Sequence, residues 1–175
     1  MVVFMMQEED VWQALVWNGT VIGSDQMGVF SDTARVHPRA YGAFARVLGR
    51  YVRETALFSL PEAIRRMSGL PAAILGLEDR GYVREGRVAD LVVFDANRVR
   101  DESSYETPTL RPTGIEYVMV NGAMAIDGGI VTGVRAGRSL RRERAGVASR
   151  GVGARSGERE HDSTGAQRRR PCGSR

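Results

Sequence analysis

The chain contains no lysine: all 25 of its basic residues are arginine. A phosphate loop of the standard nucleotide-binding type needs both a glycine spacing and a lysine, and Gly23-Ser-Asp-Gln-Met-Gly28 supplies neither. Cysteine is almost absent too. Cys172 stands alone, so no internal disulfide can form, which fits a reducing compartment, and a cytoplasmic location is the expectation. There are only two histidines, His37 and His161. No apolar run approaches the roughly 20 residues that span a bilayer. The apolar opening Met1-Val-Val-Phe-Met-Met6 has no basic leader and runs into Gln7-Glu8-Glu9-Asp10, so it does not read as a secretion signal.

Charge is unevenly placed. Residues 1–140 carry 15 Arg and 17 acidic residues, a net of −2, while residues 141–175 carry 10 Arg and 4 acidic residues, a net of +6. Basicity therefore belongs to the end of the chain. Residues 143–175 are rich in Gly, Ser, Arg, Glu and Ala, with almost no large apolar side chain to offset the ordering entropy, and read as a disordered tail. Arg168-Arg-Arg170 could neutralise phosphates, but without interleaved aromatics and with acids interspersed the tail reads as solvated, not as a nucleic-acid site.

Before the tail, the periodicity changes once. Val11, Ala14 and Leu15 recur at helical spacing behind an acidic first turn, predicting a helix from Asp10 to Trp17 that ends at Gly19. Thr20-Val-Ile-Gly-Ser24 is short and β-branched and predicts a buried strand. Residues 25–39 have no sustained period and read as a loop. Tyr41, Phe44, Val47, Leu48, Tyr51 and Val52 fall three or four apart, predicting an amphipathic helix from Ala40 to Thr55 with the Tyr41/Phe44/Leu48/Tyr51 stripe in the core. Ser59-Leu-Pro-Glu62 is a capping-box pattern that opens a helix expected to stop at Gly69, with Pro71 opening a further short one through Leu75. From Gly81 onward strands are expected instead, at Ala89–Asp95, Ile115–Val120, Ala123–Ile126 and Ile130–Thr132. An Asn121-Gly122 hairpin turn joins the middle pair.

Two groups of residues carry a resemblance. Gly86-Arg-Val-Ala-Asp-Leu-Val-Val-Phe-Asp95 with Val118-Met-Val-Asn-Gly122 resembles the small C-terminal β domain of the amidohydrolase superfamily. Ile22-Gly-Ser-Asp25, His37-Pro-Arg39, Tyr41-Gly42, the run Arg46 to Arg53, Arg66-Met-Ser-Gly-Leu-Pro71 and Gly114-Ile115 are similar to its N-acyl-D-amino-acid deacylase branch.

The resemblance, over residues 2 to 142, implies an α/β chain: the C-terminal fragment of a metal-dependent TIM-type barrel plus part of a small composite β-sandwich. Residues 1–80 would supply the last barrel strand and its helices, and residues 81–142 the sandwich segment. A whole barrel needs about 250 residues, so a missing barrel half is implied, with which this chain would associate. The implied substrate is a small N-acyl-D-amino acid, and zinc is the implied cofactor. The family's His-x-His motif is absent, so a three-ligand zinc site cannot be assembled from His37 and His161.

At the end of the expected strand, Asp25 takes the family's catalytic-aspartate role by resemblance; the competing reading is a turn cap. Arg39 would hold the substrate carboxylate, against the alternative of a solvated loop ion pair. His37, ahead of a proline, is expected to pack a loop and not to bind metal. Other amidohydrolases, dihydropyrimidinase-like or dipeptidase enzymes, share the β-domain motifs, and a non-catalytic fragment is the remaining alternative.

Overall fold

The computed structural model describes residues 6–26 and 36–140. The expected disordered tail, 143–175, lies outside the described residues, as do the opening apolar residues 1–5.

Helix α1 (Glu8–Val16) begins with Glu8, Glu9 and Asp10, where the exposed N–H groups and the helix dipole favour negative charge. Asp10 turns back to accept the Gln7 N–H at 3.0 Å. Helix α2 (Arg39–Arg46) continues without a break into a π-helical stretch, Val47–Glu54. Its buried face is set by Gly42, Ala45, Val47, Leu48, Gly49 and Tyr51. The expected aromatic stripe is therefore corrected at Phe44, which is 46% exposed. The small residues Gly42, Ala45 and Gly49 define the line of closest approach, and Phe44 falls beside it.

Helix α3 (Leu60–Ile64) starts at Ser59, whose Oγ accepts the Glu62 N–H at 3.4 Å, with Pro61 in the first turn. The expected stop at Gly69 does not occur. The helix passes through a π turn (Arg65–Gly69) into α4 (Leu70–Leu75) and ends only at Gly76, in the left-handed conformation with φ 69°. Gly69 serves packing instead: a Cβ there would lie 2.7 Å from the Tyr82 ring. The π turn also precedes Pro71, which has no N–H to give to a regular helical bond.

The expected strand at Thr20–Ser24 is also corrected: these residues are extended but pair with no strand. Among the described residues no strand lies alongside them. The Ile22 N–H goes to the Arg66 carbonyl at 3.1 Å, so a helix takes the place of a ladder partner.

The remaining strands form one antiparallel sheet in the order β1 (Leu91–Phe94), β2 (Ile115–Val120), β3 (Ala123–Asp127) and β4 (Ile130–Val131). Leu91 faces Met119, Val92 faces Val118, Val118 faces Ile126, and Ile126 faces Val131. Asn121 and Gly122 both have positive φ, 47° and 80°, the conformation of the tight hairpin turn their types predicted. The core joins Ile22, Ala45, Val47, Leu48, Tyr51, Ala63 and the fully enclosed Val99, with Phe94 and Ile115 of the sheet packed on it. No helix among the described residues is long and apolar enough to cross a membrane.

Candidate active site

Asp25 closes the extended segment that follows α1. Its position is set from behind by Ile22, which enters the core and bonds to the Arg66 backbone. Arg66 is itself a buried and fully engaged side chain. Only 2% exposed, it donates through Nε to Glu62 at 2.5 Å and through Nη1 to the carbonyls of Leu15 and, at 3.0 Å, Trp17. Those are carbonyls at the end of α1 that the helix cannot satisfy itself. The guanidinium also lies 5.4 Å from the Phe58 ring centre, a favourable cation–aromatic distance. One arginine thus ties α1, α3 and the Asp25 segment together.

Asp25 has φ 50°, a left-handed conformation that aspartate tolerates better than bulkier residues. Its side chain is 86% exposed, and one carboxylate oxygen sits 2.9 Å from Arg39 Nη1. Arg39 is the first residue of α2; its side chain is 40% exposed, and its buried Nε–H has no hydrogen-bond acceptor among the described residues. The planar guanidinium can hold a carboxylate with two parallel bonds. The two residues singled out in the sequence therefore meet, although 13 residues separate them, among them the stretch 27–35 that lies outside the described residues.

Beside Arg39, His37 accepts the Arg39 N–H on Nδ1 at 3.1 Å and lies 3.2 Å from Tyr105 Oη through Nε2. The two rings meet edge to face, centroids 5.3 Å apart. Burial, then the charge of Arg39, lowers the pKa of His37 against an opposing pull from Asp25, so the ring is neutral at pH 7. His37 packs against Tyr105 of the segment after β1. A cavity of about 400 Å³ opens next to it, lined by His37, Arg39, Arg46, Ser103, Ser104 and Tyr105 among others. Arg46 on its wall is held by Asp101 at 2.8 Å. Among the described residues no group of three His, Cys, Asp or Glu side chains comes together that could hold a metal ion.

The sequence reading missed Arg66 as an organiser, and it missed Asp101, Ser103 and Tyr105 altogether. For Arg66 a signal was present: Glu62 precedes it by one helical turn, the spacing of a same-face ion pair. For the other three there was none, because only the fold brings residues 101–105 against α2.

The chain belongs to the amidohydrolase family, whose sequence profile matches residues 11–126. Among individual relatives it is 48% identical over 139 residues to the D-aminoacylase of Alcaligenes xylosoxydans xylosoxydans, covering 79% of this chain and 28% of that one. A crystal structure of D-aminoacylase, defining a novel subset of amidohydrolases, superposes with a TM-score of 0.74 at 49% identity, covering 79% of this chain and 29% of its own. The N-acyl-D-glutamate deacylase of Bordetella bronchiseptica, solved with zinc and a phosphonate mimic of the tetrahedral intermediate, gives a TM-score of 0.64 at 43% identity, covering 69% of this chain and 25% of its own. The chain spans under a third of the length of these relatives. The zinc of that deacylase has no three-ligand counterpart among the residues described here.

Proposed function

We propose that this chain forms the C-terminal part of the barrel, and part of the composite β-sandwich, of an enzyme that hydrolyses the amide of N-acyl-D-amino acids. The products are the acyl carboxylate and a free D-amino acid. The pairing of Asp25 with Arg39 carries this reading, in a chain whose relatives at 43–49% identity are named for that chemistry. Water attacks the acyl carbon, and Asp25 takes its proton. As the C–N bond breaks, Asp25 returns that proton to the departing nitrogen, which leaves as the amine. Its high exposure lets it reach a bound substrate. Arg39 grips the α-carboxylate, exchanging part of its contact with Asp25 for the ligand. Because Asp25 and Arg39 stand side by side, the carboxylate end and the scissile amide end of one small substrate are placed together.

The test is a chimera in which residues 6–140 replace the matching quarter of the D-aminoacylase relative. Release of amino acid from N-acyl-D-amino acids is expected to exceed that from the L-enantiomers by about 100-fold or more, a ratio within reach of a site contacting the whole substrate. Arg39→Ala is expected to raise KM about 10- to 100-fold, the worth of hydrogen bonds to a charged group. The 175-residue chain alone is expected to hydrolyse none of these compounds. Preference of the chimera for a cyclic dihydropyrimidine or a dipeptide would overturn the assignment.

A further inference from the structure

Catalysis as proposed gives His37 and Tyr105 no task, yet both bear on where Arg39 lies. The imidazole Nδ1 accepts the Arg39 N–H two residues on, as an aspartate or asparagine does at a helix start. The carbonyls of His37 and Pro38 accept the next N–H groups, from Ala40, Tyr41 and Gly42 at 3.0–3.1 Å. The first turn of α2 is thus built on His37 and Pro38. Both are held from the segment after β1: Tyr105 Oη meets His37 Nε2 at 3.2 Å, and Ser103 Oγ donates to the Pro38 carbonyl at 3.0 Å. Gly42 permits this approach, since a Cβ there would lie 2.9 Å from Asp101 Cβ and collide with Ser103. Because Nδ1 is an acceptor, the neutral ring carries its proton on Nε2 and donates it to Tyr105. The charged groups around the ring are Arg39 and Asp25, with Glu106 on the neighbouring cavity wall.

We propose that His37, held by Tyr105, is a positioning residue that fixes the start of α2 and so aims the Arg39 guanidinium at Asp25. Its functional meaning rests on the reading of Arg39 as the carboxylate anchor, but the geometry is tested independently of activity. In the ¹⁵N-labelled full chain, the change in the Arg39 Nε–H resonance on Asp25→Asn gauges the ion pair. Tyr105→Phe, which removes one hydroxyl, is expected to reduce that change about twofold, and His37→Ala to reduce it further. His37→Asn, whose Oδ1 can still accept the Arg39 N–H, is expected to restore most of it. Imidazole ¹⁵N shifts are expected to show the Nε2–H tautomer. An Nδ1–H tautomer, or a gauge unmoved by Tyr105→Phe and His37→Ala, overturns the proposal. If His37→Ala does not fold, Tyr105→Phe and the tautomer decide. Should the gauge respond as stated while Arg39→Ala leaves KM of the chimera unchanged, the anchor reading falls and the positioning role stands.

Discussion

Arg66 shows how a buried cation can serve the fold alone. Enclosed to 2% exposure, it meets a carboxylate, two backbone carbonyls and an aromatic face, so truncation leaves each of them without its partner. Removing one member of such a set costs about 3–5 kcal/mol, much of the roughly 5–15 kcal/mol that a small domain has. Arg66→Ala is therefore expected to lower the urea midpoint sharply, and Arg66→Lys to recover only part, since an ammonium cannot reproduce the planar fork. Glu62 is the counterpart. Hydrogen bonds from Arg65 and then Arg66 bring its pKa from an ordinary 4.5 down to about 2. A depressed carboxyl stabilises the fold fully above its unfolded value and loses that contribution as pH falls toward the folded one. Stability should thus decline between about pH 4.5 and pH 2, and Glu62→Gln should flatten that decline in urea titrations run across the window. Asp25 and Arg39 were singled out through the family resemblance alone, since a charged residue in a loop is as often a turn cap or a solvated ion pair. Arg66 was marked only in part: Glu62 one helical turn before it signals an ion pair, but one arginine among many carries no mark of burial.

At the scale of elements, glycine explains both what the sequence showed and what it concealed. Asn121-Gly122 declared its hairpin because only residues that accept positive φ make that turn. Gly69 looked like the same kind of punctuation and was not: its backbone is helical, with φ −64°, and what it supplies is room for Tyr82. Gly49 does the same on the preceding helix, where a Cβ would lie 2.8 Å from the Val99 carbonyl. Gly49→Ala should therefore cost about 1–3 kcal/mol through overpacking, although alanine is the better helix former. Thermal melts check this: Gly49→Ala should melt below the parent chain, whereas a gain from helix propensity alone would raise the midpoint. The segment Thr20–Ser24 is extended, but β-branched composition reports only a fit to a pleated, half-buried surface, and says nothing of whether this chain supplies a neighbouring strand.

The whole described region is a small core under a large apolar surface. Val92, Val93 and Tyr117 on the sheet, Ile74 and Leu75 on α4, and Trp17 beyond α1 are all exposed. Strands β1 and β4 also leave open sheet edges among the described strands, and open edges pair readily with another chain. Self-association rising with concentration is the expected result by sedimentation velocity. A monomer that unfolds sharply and reversibly would speak against it. Composition gave no warning of this, because an apolar fraction of 42% is ordinary until the fold decides how much of it is covered. The functional claim converges on one carboxylate. Asp25→Asn in the chimera keeps the size of the side chain and removes its ability to carry a proton. The turnover number for an N-acyl-D-amino acid is predicted to fall by about 10²- to 10⁴-fold, the usual worth of a general acid–base group, with the fold unchanged by circular dichroism. Turnover within a few-fold of the parent chimera would contradict the role assigned to Asp25.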